Sequence, residues 1–180
     1  MADLNRLYET VGRAKERVDI VVANAGVGEF DPFGTITEEH FDRLFDTNVK
    51  GAVFTVQRAL PLLANGDSVI LIGSVASMRG TSSFGVYGAT KAALHSFART
   101  WTTDLKDRRI RSSVLSPGPT KTPLTDRRSP DAIARIASTV PTGRMAAPDE
   151  IAKAGLFLAS EDSSFVSAIE LFVDGGRGQV

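Results

Sequence analysis

The sequence predicts a doubly wound α/β fold built on a parallel sheet. Helical and strand-like segments alternate along all 180 residues. The strand-like segments carry continuous apolar runs, such as IVVA at 20–23 and VILI at 69–72, instead of alternating ones. Continuous runs are typical of strands that helices cover on both faces of a parallel sheet. The chain length and the 42% hydrophobic content suit a single domain, residues 1–180.

Four helix–strand pairs follow one another along the chain. Two of the helices have specific start signals, a capping-box-like TEEH from residue 37 and a proline at position 148. Apolar periodicity and the apolar runs give the other boundaries. The predicted pairs are helix 3–16 with strand 18–26, helix 37–63 with strand 68–74, helix 86–107 with strand 110–118, and helix 148–160 with strand 169–176.

Composition excludes several classes of function. Lys plus Arg and Asp plus Glu are both 21, without long runs of one sign, so we expect neither nucleic-acid nor membrane-surface binding. Cysteine is absent, and the two histidines lack metal-ligand spacing, so we expect them on helix surfaces and expect no metal site. The chain shows neither a signal peptide nor an apolar run of roughly 18 residues, which favours a cytoplasmic protein.

The expected ligand site lies beyond the carboxyl ends of the predicted strands. In open α/β sheets ligands bind in that crevice, and the strands here end in NAG, GS and SPG, which are small or polar. Segment 119–145 is rich in Pro, Thr and charged residues and is long for a connection between core elements. We therefore predict a substrate lid there.

Tyr87 and Lys91 lie on one face of the third predicted helix, four positions apart. A nearby ammonium lowers the pKa of a tyrosine towards the range of a general acid or base. Alone the pair is weak evidence, because a half-buried Tyr beside a solvated Lys is the commoner explanation. Ser74, at a strand end, could polarise a carbonyl. Asn48 is a poor interior helix former, and bonding a neighbouring backbone is an equal alternative to a functional role.

Together these residues resemble the short-chain dehydrogenase/reductase family across essentially the whole chain. ANAG (23–26) resembles the family's NNAG turn. DTNVKG, IGSVAS and YGATK resemble the segments that carry its helix asparagine, its serine and its YxxxK pair. SPGPTKTPL (116–124) resembles the PG segment beside the nicotinamide, and FLAS with FVDGG resembles the C-terminal end of the family.

The resemblance implies reversible hydride transfer between NAD or NADP and a small alcohol or ketone substrate. It makes Tyr87 the acid/base, Ser74 the hydrogen-bond donor to the substrate oxygen, and Asn48 the holder of a water in a proton relay. Lys91 would bind the nicotinamide ribose and depress the pKa of Tyr87. A homodimer or homotetramer would form through helices 37–63 and 86–107. The implied cofactor-binding residues are Asn24, Ala25, Gly26, Tyr87, Lys91, Pro117, Gly118, Thr120 and Thr122.

The sequence also departs from the family's pattern. The family's TGxxxGxG turn, which receives the pyrophosphate at a helix N-terminus, has no counterpart in these residues. Because the first strand here resembles the family's fourth, we expect an incomplete sheet without the first βαβαβ half, roughly 60 residues. Strand 19–23 then becomes an edge with uncovered apolar surface. Two alternatives to a working enzyme follow, a non-catalytic self-associating α/β module and a gene fragment. Arg109 and Ala168 also replace glycines common in the family.

Overall fold

The computed structural model describes residues 1–123, 125 and 127–179; Leu124, Asp126 and Val180 lie outside the described residues. Its centre is a four-stranded sheet in which every neighbouring pair is parallel and the spatial order follows the chain. The predicted parallel α/β architecture is therefore confirmed. The strands are β1 (Val18–Ala23), β2 (Leu63–Ile72), β3 (Arg111–Pro117) and β4 (Glu170–Val173).

Within the described residues, six α-helices accompany the strands. The side chain of Thr37 accepts a hydrogen bond from the His40 backbone N–H at 3.1 Å, so the TEEH segment caps a helix as predicted. The single helix predicted over 37–63 is wrong in detail, because a π-helical stretch, Asp46–Lys50, interrupts it and it ends at Ala59. The helices are α1 (Ala2–Lys15), α2 (Glu38–Phe45), α3 (Gly51–Ala59), α4 (Gly85–Asp104), α5 (Pro130–Ser138) and α6 (Pro148–Ala159).

The sheet has a hydrophobic core on each face, because successive strand residues point to opposite sides. On one face Val69 and Val114 belong to a buried cluster with residues of α3 and α4, such as Val56 and Leu94. On the other face Ile70, Leu115 and Leu158 of α6 form a second cluster. The doubly wound arrangement is thus confirmed. Among the described residues, no helix is long and apolar enough to span a membrane.

Strand β1 forms one edge of this sheet, with β2 as its partner strand in the described part of the chain. Val21 and Ala23 are buried, whereas Ile20 and Val22, on the opposite face, are 45% and 51% exposed. Helix α6 packs over β2, β3 and β4 on that second face. The prediction that this strand is an edge with uncovered apolar surface is confirmed.

Two non-glycine residues adopt left-handed backbone conformations at positions where the resemblance predicts glycine. Arg109 has φ 53° at the end of the turn after α4, and Ala168 has φ 60° shortly before β4. A side chain in this region costs roughly 1–2 kcal/mol, because its Cβ lies close to the following carbonyl oxygen. Glycine has no Cβ and avoids this cost, which explains the family's preference for glycine at both positions.

Candidate active site

The predicted catalytic residues converge at the carboxyl ends of β1 and β2. Ser74 follows β2 by two residues, and Tyr87 lies in the first turn of α4, with Lys91 one turn later. Asn48 lies in the π-helical stretch between α2 and α3. The hydrogen bonds and contacts described below bring all four into one site, although they are up to 43 positions apart in the sequence (91 − 48).

Ser74 and Tyr87 interact directly. Ser74 has an extended backbone and caps the short 3-10 turn Val75–Ser77, with its Oγ accepting from the Ala76 N–H at 3.2 Å. Burial raises the pKa of the Tyr87 phenol above its usual value, and the hydrogen bond with Ser74 lowers it by less. The pKa of Tyr87 is therefore raised and not lowered as expected, because burial is the largest effect.

Lys91 is only 4% exposed, which is unusual for a lysine. Its Nζ donates to the Ile72 carbonyl at 2.8 Å and lies 5.8 Å from the centroid of the Tyr87 ring. Burial lowers the pKa of Lys91 from its usual 10.5 to about 8. A Cβ at Gly26 would lie 3.2 Å from both Lys91 Nζ and Asn48 Oδ1, so the NAG turn approaches these two groups closely.

The depressed pKa of Lys91 predicts a pH-dependent stability. Between about pH 8 and 10.5 the unfolded chain binds more protons at this residue than the folded chain, so the free energy of unfolding rises with pH. We expect the gain between pH 7 and 10 to be about 2–3 kcal/mol larger in the wild type than in Lys91→Met. Chemical denaturation at each pH measures it. The control Lys153→Met, at an exposed position of α6, should keep the wild-type slope; equal slopes for all three proteins would contradict the prediction.

Asn48 is 1% exposed and its side chain is fully engaged. Its Oδ1 accepts from the Val27 N–H at 2.8 Å, and its Nδ2 donates to the Val27 carbonyl at 2.8 Å and to Thr90 Oγ1 at 3.0 Å. The contacts therefore match the backbone-bonding alternative, in which Asn48 fixes the loop after β1. Its part in a water relay stays a prediction.

The predicted cofactor-binding residues lie on two turns at the same edge of the sheet. Asn24, Ala25 and Gly26 are exposed after β1, so the surface of this turn is open. After β3, the Gly118 N–H donates to the Val173 carbonyl at 3.0 Å, and Pro117 is the last residue of the strand. Both turns lie at the carboxyl ends of strands, and their part in cofactor binding stays a prediction.

Thr120 and Thr122 follow the second turn. Thr120 Oγ1 donates to the Gly118 carbonyl at 3.0 Å, and Thr120 pairs with Ala146 in an isolated parallel bridge. The Thr122 N–H donates to Thr125 Oγ1 at 2.8 Å. The bridge brings the start of segment 119–145 against the residue that follows its end. The segment also contains α5, a helix that the sequence analysis missed.

A stack of three aromatic rings, which the sequence analysis also missed, includes Tyr87. The Phe84 and Tyr87 ring centroids are 4.3 Å apart with planes at 28°, and those of Phe30 and Phe84 are 4.2 Å apart at 14°. A Cβ at Gly28 would lie 3.2 Å from both Phe84 and Tyr87. The spacing of Phe84 and Tyr87, three positions apart at a helix start, could have indicated the first pair. Nothing local in the sequence predicts the contact with Phe30.

A buried carboxylate connects the site to the rest of the fold. Glu170 on β4 accepts hydrogen bonds from Ser77 and, at 2.6 Å, from Ser116, and its Oε2 lies 3.2 Å from His95 Nδ1. The expected surface position of His40 is wrong, because His40 is 7% exposed, whereas 25% of the His95 side chain is exposed. No group of three or more His, Asp or Glu residues in the described ranges could hold a metal ion.

Comparison with known proteins supports one family. The family model described as enoyl-(acyl carrier protein) reductase matches residues 1–177. A solved short-chain dehydrogenase/reductase from Serratia marcescens, a double mutant, superposes with a TM-score of 0.93 at 26% identity over 98% of this chain and 72% of that one. The chain belongs to the short-chain dehydrogenase/reductase family. It is therefore an oxidoreductase of an NAD(P)-dependent class.

Two further relatives show how much of a family member the chain spans. It is 45% identical to the oxidoreductase asL5 of Sarocladium schorii over 100% of this chain and 74% of that protein. The angucycline C-6 ketoreductase LanV, solved with bound NADP, superposes with a TM-score of 0.91 at 29% identity. That match covers 99% of this chain and 72% of LanV.

Proposed function

We propose that this protein catalyses hydride transfer between the nicotinamide of NAD(P) and the carbonyl or alcohol carbon of a small substrate. The observation that carries the proposal is the convergence of the Ser74 hydroxyl, the Tyr87 phenol and the buried Lys91 amine at one sheet edge. The name of LanV, a ketoreductase with bound NADP, supports both the reaction and the cofactor.

Tyr87 acts as the proton donor when a ketone is reduced. Because burial raises its pKa, the phenol holds its proton at neutral pH and can pass it to the substrate oxygen. Ser74, which bonds to the same phenol, donates a second hydrogen bond to that oxygen and orients it. Lys91 lies beneath the ring and stabilises the phenolate that remains. In the oxidative direction the Tyr87 phenolate accepts the proton of the substrate hydroxyl.

The residues present fit the nicotinamide end of the cofactor, which supplies or accepts the hydride when bound. The open Asn24–Gly26 turn and the Lys91 ammonium offer contacts for a ribose, and the Pro117–Gly118 turn with Thr120 and Thr122 offers contacts for the carboxamide. No TGxxxGxG turn for the pyrophosphate stands in the 180 residues. We propose segment 119–145 as the lid over the substrate.

A self-associating α/β module is the second candidate function. It is favoured by the exposed Ile20 and Val22 on edge strand β1, since such edges pair readily with other chains. The helical segments 37–63 and 86–107 offer a further contact for a homodimer or homotetramer. In this alternative the chain would assemble without binding cofactor.

Cofactor titration combined with sedimentation separates the two functions. We expect NADPH or NADH to bind, because the Asn24–Gly26 and Pro117–Gly118 turns and Lys91 offer contacts for the nicotinamide half. Loss of NADPH absorbance with added ketone should report turnover. The control Lys153→Met should bind as the wild type does. Absence of cofactor binding in a chain that sediments as a dimer or larger would overturn the proposed function and favour the module.

A further inference from the structure

The outer ring of the aromatic stack beside Tyr87 is exposed to solvent. Phe30, the outer ring, is 57% exposed, and it belongs to a loop without regular secondary structure between β1 and α2. Phe84 lies between Phe30 and Tyr87, so the three rings form a continuous column that reaches the reacting phenol. Exposed apolar groups joined to a polar reacting group are typical of ligand-binding surfaces.

A depression in the surface borders this column. It has a volume of about 280 Å³ and is lined by Phe84 and by segments 76–81 and 85–92 in part, including Met78 and Gly88. Sites for small molecules usually measure about 300–1,000 Å³, so this depression lies just below that range and suits a small ligand. Phe84 is the residue that this lining shares with the column.

The chemistry of the column favours an aromatic ligand over an aliphatic one. Aromatic rings attract one another in stacked or edge-to-face geometry beyond the burial of their area, whereas a saturated chain gains from burial alone. An added Cβ at Gly28 would lie 3.2 Å from both Phe84 and Tyr87, so the loop backbone packs closely against the two rings. Met78, 54% exposed at the rim, adds a sulfur that also packs well on aromatic rings.

We propose that the column of Phe30, Phe84 and Tyr87 recognises an aromatic ring of the substrate, whose ketone or alcohol carbon adjoins that ring system. The proposal rests on the proposed function and names its substrate class. The substrate's ring packs against the phenylalanines while its oxygen lies between Ser74 and Tyr87. Phe30 and Phe84 are thus specificity-determining residues, and Tyr87 combines ring contact with proton transfer.

Two bicyclic ketones of similar shape test this directly. 2-Tetralone contains an aromatic ring, and 2-decalone is its saturated counterpart. Ligand-observed NMR titration of the chain gives both dissociation constants without requiring turnover. We expect 2-tetralone to bind roughly three- to tenfold more tightly than 2-decalone. Equal dissociation constants would overturn the proposal.

Variants locate the preference on the column. Phe30→Leu and Phe84→Leu keep apolar bulk and remove the ring, so the preference for 2-tetralone should fall to about twofold or less in each. Phe33→Leu changes a 99% exposed phenylalanine in the same loop and should keep the wild-type ratio. Phe30→Leu alters only an exposed ring, so it remains informative if Phe84→Leu fails to fold. An unchanged ratio in Phe30→Leu would count against the assignment.

Turnover separates this proposal from the proposed function. If 2-tetralone binds selectively but no ketone is reduced with NADPH or NADH, hydride transfer fails and aromatic recognition stands. If both ketones are reduced with equal kcat/KM and bind equally, hydride transfer stands and aromatic recognition is overturned.

Discussion

Replacement of Tyr87 by phenylalanine is expected to lower kcat for ketone reduction by roughly 10²–10⁴-fold, the usual contribution of a positioned general acid. The change removes only the hydroxyl that bonds to Ser74. The ring stays, so its stacking on Phe84 at 4.3 Å persists. Initial rates at saturating NADPH measure the loss, and circular dichroism reports the fold.

The matched control is Tyr8→Phe, the same change at the other tyrosine of the chain. Tyr8 on α1 packs against the core cluster far in sequence from the site, and it should keep wild-type kcat. The free energy of unfolding of Tyr87→Phe should fall by no more than about 1 kcal/mol, the net worth of one hydrogen bond. Retained turnover in Tyr87→Phe would remove Tyr87 from the acid/base role and, with it, the main support for the mechanism.

Much of the fold could be predicted from the sequence, because its signals are local. Continuous apolar runs reported buried parallel strands, and β1 to β4 lie within the predicted ranges except where β2 begins at Leu63. That start was missed because ANGD, residues 64–67, looks like a turn. The π-helical stretch around Asn48 was also missed; the bonds of this side chain to Val27 and Thr90 join segments far apart in the sequence.

The sequence predicted which residues form the site better than it predicted their pKa values. Spacing placed Tyr87 and Lys91 on one face, and the strand ends placed Ser74 nearby. The direction of the Tyr87 pKa depends on burial, which spacing does not report, so the expected depression was wrong. The column with Phe30 and the bonds of Glu170 join segments far apart in the chain. Such contacts arise only from tertiary packing, and single-sequence patterns carry no record of them.

Substitution of Gly118 by alanine should produce the largest loss of stability among changes at the predicted cofactor turn. An added Cβ would lie 2.6 Å from Asp174 Cα and 3.0 Å from its carbonyl oxygen, and these are backbone atoms that cannot rotate away. Asp174 is itself held, because its carboxylate accepts from the Gly176 N–H at 2.9 Å and from the Gly178 N–H. The ends of β3 and β4 would have to separate.

We expect Gly118→Ala to lower the free energy of unfolding by about 3 kcal/mol, at the upper end of the usual cost of overpacking. For a chain of this size that corresponds to a fall in Tm of roughly 6–12 °C. Thermal denaturation measures it. Gly80→Ala, where an added Cβ has no neighbour within 4 Å, should change Tm by less than about 2 °C. If Gly118→Ala had the same Tm as the wild type, the ends of β3 and β4 would be less closely packed than in the structure. Contact with the cofactor would then be the remaining reason for a glycine at position 118.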